Sequence, residues 1–235
     1  MIDESGQEEC VAQRVIECAI ELQDNPESGF QELGLSLDII QSLLANGRSF
    51  AYNQHWLTAA DRAFAPGTVK LGRSEDRLVI FADLHGTQIN TKSFPFNFPA
   101  FQENDVFEIF LHGIGSTVYY EFHITPSNSV MQLRFPLERP EDDPFEPYRV
   151  SECLLNSRTR IGAKGWQVAV ILPLPPLSNS LLFPENWALS FGRYDYPEGN
   201  SKPVISSTSP HTIRQFHRRM EWPLIDLKDL PHLHF

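Results

Sequence analysis

The chain has 235 residues, of which 41% are hydrophobic and 21% charged, a composition that excludes disorder along its whole length. No run approaches the roughly 18 apolar residues that a membrane-crossing helix needs. The net charge of −11 is concentrated at the start, where residues 1–40 hold ten acids against one base and leave a nearly neutral body. That excludes nucleic acid, which demands a basic face, and argues against anionic lipid.

The first predicted element is a helix over 7–24, where Val11, Val15, Ala19 and Leu22 recur at helical spacing opposite Glu and Gln. Asn25-Pro26 and Ser28-Gly29 end it. A second helix is predicted over 36–46, with Ser36 as N-cap, Leu37, Ile40 and Leu44 as its stripe, and Asn46-Gly47 as its stop. Residues 1–48 therefore read as an acidic helical extension or cap, either packed on the rest of the chain or free to meet a protein partner.

Beyond residue 50 the apolar runs become short and alternate. Strands are predicted at 69–71, 77–83, 105–112, 118–124, 130–135, 166–172 and 187–194. Turn residues separate them, among them Ser74-Glu75-Asp76, Pro126-Ser127-Asn128 and Gly162-Ala163-Lys164-Gly165. With 18 prolines and no helices between the strands, residues 49–235 read as mainly β, an antiparallel β-sandwich of jelly-roll or immunoglobulin-like type. The Pro- and acid-rich stretch 139–148 reads as a surface loop.

The stretch 105–135 carries the chemistry. Phe107, Ile109 and Leu111 alternate with Val106, Glu108, Phe110 and His112. Tyr120, Phe122 and Ile124 alternate with Tyr119, Glu121 and His123, and Met131, Leu133 and Phe135 alternate with Gln132 and Arg134. Period-2 alternation thus predicts one apolar face and one mixed face bearing carboxylates, an arginine, an amide, imidazoles and rings. Sugars are bound by such a set, since rings pack on the C–H face of a pyranose and planar polar groups bond adjacent hydroxyls. A solvated face with cross-strand ion pairs, such as Glu108 or Glu121 with Arg134, is the alternative.

The motifs Asp105-Val-Phe-Glu-Ile-Phe110 and Tyr119-Tyr-Glu-Phe-His-Ile-Thr-Pro126 resemble the core signature of family 9 carbohydrate-binding modules and their DOMON-like relatives. Gly165-Trp-Gln-Val-Ala-Val-Ile-Leu-Pro173, Trp187-Ala-Leu-Ser-Phe-Gly-Arg-Tyr194, Ser209-Pro210-His211 and Phe216-His217 are similar to later elements of that pattern, in order, over roughly residues 50–230. The resemblance implies a β-sandwich that binds saccharides without catalysis, often with structural calcium. The chain departs from the pattern at Ser190, where the family has Asn, and at Thr208, where it has Trp. The paired tryptophans that clamp sugar in binding members map onto nothing here; Trp166 and Trp187 read as core, and Trp56 and Trp222 lie near the ends.

The candidate ligand-binding residues are Glu108, Tyr119, Glu121, Arg134, Arg193 and Tyr194. The arginines would grip paired hydroxyls, the carboxylates would accept hydrogen bonds and the tyrosines would stack. No catalytic residue is assigned, and no nucleophile, phosphate-loop or metalloprotease motif is present. A second reading is an interaction protein of the same fold whose mixed face is plugged by its own side chains or by the helical head. A third is haem or metal binding, with Met131 and His123 or His112 as the only haem pairing. Glu141-Asp142-Asp143 is the candidate calcium cluster. Three cysteines, Cys10, Cys18 and Cys153, make neither a disulfide framework nor a zinc spacing. With no basic-then-apolar leader the chain reads as intracellular, although a mature exported form beginning at an added Met1 would read the same.

Overall fold

The computed structural model describes residues 28–140, 143–178, 184–198 and 201–235. Two short helices, α1 (Ser28–Glu32) and α2 (Leu37–Leu43), precede eleven strands among the described residues. These are β1 (Arg48–Ala51), β2 (Gly67–Ser74), β3 (Arg77–His85), β4 (Val106–Gly113), β5 (Val118–Ile124) and β6 (Val130–Pro136), followed by β7 (Asn156–Gly162), β8 (Gly165–Pro173), β9 (Asn186–Asp195), β10 (Val204–Ser207) and β11 (Leu224–Asp226). They form two antiparallel sheets, ordered β1-β2-β3-β8-β7 and β10-β9-β4-β5-β6, with β11 also pairing β9. The fold is a β-sandwich.

The inner faces meet in one apolar core. Val69, Leu71, Ile80, Leu84, Trp166 and Val168 from the first sheet pack on Phe107, Ile109, Phe122, Ile124, Trp187 and Phe191 from the second. Trp166 and Trp187 are buried there, as the strand pattern predicted. The inner residues of β4, β5 and β9 coincide because Ile109 faces both Phe122 and Phe191 across the ladders.

The helices cover the back of the first sheet. Phe30, Leu37, Ile40 and Leu44 pack on Val79, Phe81, Ala169 and Ile171, joined by Leu233 from the C-terminal segment. A two-sided sheet explains why β3 and β8 are apolar nearly throughout. Ser36 caps α2 as predicted, its hydroxyl accepting from Ile39 N–H at 3.3 Å, and the helix ends at Leu43, short of the predicted 46. The pair Ser28-Gly29, read as a stop, instead opens α1. The helix predicted over 7–24 lies outside the described residues. Asp38 pairs with Arg160 at 2.8 Å, but both are exposed, so apolar contact rather than this ion pair holds the helices down. Ile40 is fully buried, so Ile40→Ala is expected to destabilise the protein by about 2–5 kcal/mol in urea unfolding, with the outer face of the second sheet unaltered.

Strands β1, β7, β10 and β11 were not predicted. All are short or polar, as in Arg48-Ser-Phe-Ala51 and Asn156-Ser-Arg-Thr-Arg-Ile-Gly162, and β1, β7 and β10 are outermost strands. Edge strands half-face solvent and avoid the apolar alternation that identifies central ones.

Candidate functional site

The outer face of the second sheet holds the site. Glu108 on β4 lies directly opposite His123 on β5, and Glu121 is two residues before His123 on the same face. Tyr119 completes that face of β5, and Tyr194 of β9 lies opposite Val106 of β4. A second apolar cluster covers part of the face: Phe110, Tyr119, Met131, Leu133, Phe135, Phe216 and Trp222, with Phe101, Phe145, Tyr148 and Tyr194 packed around it. The face is therefore partly covered by the protein's own segments around Phe101, Leu137, Phe145 and Tyr148, and Phe216 and Trp222, and by neither helix. Between these segments remains a cleft of about 270 Å³. Its lining includes Glu108, Tyr119, Glu121, His123, Phe101, Phe135, Phe145, Tyr194, Arg139, His217 and Arg219.

At the floor stands a buried carboxylate–imidazole–carboxylate cluster. His123 Nε2 is 2.5 Å from Glu121 Oε1, to which its N–H donates, and 3.2 Å from Glu108 Oε1. All three side chains are at most 6% exposed. Burial pushes Glu108 up to about 8, against the pull of His123 and with the charge of Glu121 adding to the rise. Burial also acts to raise Glu121, but His217, His123 and the hydrogen bond from His123 outweigh it and hold that carboxyl below its usual range. For His123 the cost of burial is overcome by Glu108 and Glu121, so the imidazole stays protonated above the usual histidine range. The floor thus favours a proton on Glu108 and on His123 and the ionised form of Glu121.

Glu108 has room only because Gly192 lies opposite it on β9. A Cβ there would come within 2.5 Å of Glu108 Oε2 and 2.9 Å of the Phe216 ring. Gly192→Ala is therefore expected to push Glu108 and Phe216 apart and lower thermal stability, by a shift that differential scanning calorimetry would read.

The walls are aromatic and cationic. Tyr119 hydroxyl bonds His217 Nδ1 at 2.9 Å, and His217 Nε2 lies 3.6 Å from Glu121 Oε2. Phe101 stands edge-on to His123 at 5.4 Å and 5.8 Å from the Tyr194 ring. The Arg139 guanidinium lies 4.3 Å over Phe135 and donates to the Asp143 carbonyl; that of Arg219 lies 5.5 Å from the Tyr119 ring and donates to Leu137 carbonyl at 2.6 Å. Glu221 closes the 209–222 segment, accepting from Thr212 hydroxyl and pairing with His211 and Arg218.

Four of the six sequence-predicted residues, Glu108, Tyr119, Glu121 and Tyr194, meet in this cleft. Arg134 and Arg193 do not. Glu121 faces Leu133, and Tyr120 faces Arg134, so it is Met131, Leu133 and Phe135 that share the face of Glu121, while Gln132 and Arg134 point the other way. The expectation had the two sets of β6 reversed. It placed the greasier set on the core, but the outer face also carries an apolar cover, and β6 is an edge strand whose core-side residues can be polar. Gln132 there bonds the backbone of Glu152 and Leu154, and Arg134 is exposed beside Tyr120. Arg193 faces Phe107 on the inner side at 1% exposure. Its guanidinium donates to the carbonyls of Ala65 (3.1 Å) and His85, and pairs with Asp195 at 3.2 Å. It clips β9 to the chain around 65–66 and to the end of β3.

The residues that sequence reading missed are Arg139 and Phe145 on loops and Phe101 and Arg219 on single-turn 3₁₀ helices, all outside the strands, where no periodicity places a side chain; His217 sat in a quoted motif without a role. Ser190 is buried, bonded to Ser209 at 2.7 Å, and does not line the cleft. No tryptophan lines it either: Trp222 is buried against Phe110 and Tyr119, its N–H donating to Phe216 carbonyl. Of the candidate calcium cluster, Glu141 and Asp142 lie outside the described residues, and the Asp143 carboxylate accepts from Tyr148 hydroxyl. Met131 faces His123 across β5 and β6, but the imidazole Nε2 is turned to two carboxylates, and His112 bonds Val118 carbonyl instead.

No protein-family model matches the chain, and no curated protein does. Solved structures match in fold. A Bacteroides uniformis protein to which carbohydrate binding is ascribed superposes with a TM-score of 0.61 at 12% identity, over 80% of this chain and 91% of that one. A family 9 carbohydrate-binding module from Caldicellulosiruptor kristjanssonii in complex with glucose gives 0.53 at 11% identity, over 78% and 85%. The same organism's family 9 module in complex with cellotriose gives 0.54 at 11%, over 80% and 85%. The sandwich thus has the fold of the family 9 carbohydrate-binding modules, as the motifs implied.

Proposed function

We propose that the cleft over β4, β5 and β6 binds a saccharide without catalysis. The observation that carries this reading is the combination, in one concave site, of ring faces at the walls and hydrogen-bonding groups at the floor and rim. Phe101, Phe145 and Tyr194 supply faces for C–H packing in place of the tryptophans. Arg139, Arg219 and His217 donate, and the Glu121 carboxylate accepts. At about 270 Å³ the cleft is just below the roughly 300–1,000 Å³ of drug-sized sites, so it suits a ring or a chain end rather than a long chain. The fold likeness to modules solved with glucose and cellotriose supports the ligand class. Calorimetric titration against glucose, cello-oligosaccharides and a wider glycan panel tests the reading. Binding at millimolar or tighter is expected for at least one sugar; silence across the panel would instead favour the interaction-protein reading, which the covering Phe216 and Trp222 support.

A further inference from the structure

Glu108, Glu121 and His123 form the one cluster of three metal-ligating side chains among the described residues, with one donor atom from each lying within 4.8 Å of the others. Two further oxygens, Glu108 Oε2 and Glu121 Oε2, are buried there without any hydrogen-bond partner. Glu121 Oε2 has only His217 at 3.6 Å and Glu108 Oε2 only the neighbouring side chains, so both buried oxygens keep lone pairs that no donor fills, a cost that a coordinated ion would remove.

The geometry points to a site for a first-row divalent cation of the zinc type, held by Glu108, Glu121 and His123 at the floor of the cleft. Around such an ion, donors sit at roughly 2.0–2.2 Å, which puts neighbouring donors somewhat over 3 Å apart. The 3.2 Å from His123 Nε2 to Glu108 already meets that spacing, and the 2.5 Å to Glu121 opens to it by a small carboxylate rotation as the cation displaces the His123 Nε2 proton and the Glu108 carboxyl proton, both released to solvent. The dication offsets two carboxylates against a neutral imidazole and leaves the buried cluster uncharged. One imidazole with two carboxylates suits a borderline ion, whereas calcium takes six to eight oxygens. Three protein donors leave a coordination position directed at the cleft, since all three residues line it. The proposal goes beyond the saccharide reading and stands without it, because it is tested with no sugar present.

The full chain, stripped with chelator, is titrated with Co²⁺ and followed by its visible ligand-field bands, with Zn²⁺ as competitor. One equivalent is expected to bind, to be displaced by Zn²⁺, and to weaken at least about tenfold in Glu121→Gln and in His123→Gln. A His232→Asn/His234→Asn double variant removes the tail imidazoles, whose rings lie 4.6 Å apart outside the cleft, and is expected to keep full affinity. Should His123→Gln fail to fold, the near-isosteric Glu121→Gln and X-ray absorption of the wild-type complex, reading one imidazole among oxygen donors, decide the matter. No stoichiometric binding below about 1 mM, or binding that survives the cleft variants and disappears with the tail histidines, overturns it.

Discussion

Replacing Arg193 by Met is expected to destabilise the protein by about 3–5 kcal/mol, the usual cost of removing one partner from a buried ion pair. The guanidinium is 1% exposed and pairs with Asp195, while it satisfies the carbonyls of Ala65 and His85. Methionine fills much of the volume, so the loss is electrostatic and hydrogen-bonded rather than a cavity. Asp195 already sits at about 6, raised by burial against the pull of Arg193. Without Arg193 it rises further. The buried carboxyl then takes a proton in acid and must carry an unpaired charge in base, so the variant's deficit is expected to be larger at pH 8 than at pH 5. Urea unfolding at the two pH values reads both effects. Arg134→Ala, by contrast, is expected to stay within about 0.5 kcal/mol of the parent.

The second large effect concerns pH and Glu108. Its folded value of about 8 lies above the 4.5 of a free glutamic acid, so the folded state holds a proton that the unfolded state has released. Stability from this group is fully present below 4.5 and is lost as pH rises through 8. His123, also raised, acts in the same direction: its contribution is present below the ordinary histidine value and is lost above its raised one. Melting temperature measured with chelator is therefore expected to fall between pH 5 and 9. Glu108→Gln mimics the protonated carboxyl and should flatten much of that slope, leaving the variant more stable than the parent at pH 9. Each 1 kcal/mol corresponds to roughly 2–4 °C at this chain length. Parallel profiles for the two proteins would show that Glu108 does not carry the buried proton.

Particular residues show how far the sequence was legible. Strands β4, β5 and β9 were readable because each buries one apolar face, which writes period-2 alternation into the chain, and β3 and β8 because both faces are covered, which leaves short continuous apolar runs of strand length. Alternation divides a strand into two sets but does not say which set joins which set of its neighbour. That depends on the turn, here Thr125 to Ser129, which aligns Ile124 with Val130. Arg134 was misplaced for this reason. Arg193 was misplaced because a buried charge bonded to carbonyls looks, in sequence, like a charge kept for a ligand. Glu108, Tyr119 and Glu121 were legible as the mixed set of two alternating strands, and Tyr194 through the resemblance carried by the strand that begins at Trp187. Arg139, Phe145 and Arg219 were not, since they reach the cleft from loops and a single 3₁₀ turn whose path no local pattern encodes. Short apolar stripes such as Leu37, Ile40 and Leu44 signalled that the helices of the acidic start cover something but not which surface, and α1 and α2 cover the back of the sheet opposite the cleft.

The central claim is that ligand binds over β4, β5 and β6 and not elsewhere on the sandwich. The most direct measurement is a paired calorimetric titration, with the best-binding sugar, of the parent, Arg139→Ala and Arg134→Ala. Arg139 lines the cleft just after β6, and Arg134 is on the side of β6 turned away from it, so the two variants remove the same charge from different surfaces. A loss of affinity of about tenfold or more in Arg139→Ala, with Arg134→Ala indistinguishable from the parent, is the predicted result. Equal losses in both, or a loss confined to Arg134→Ala, would contradict it.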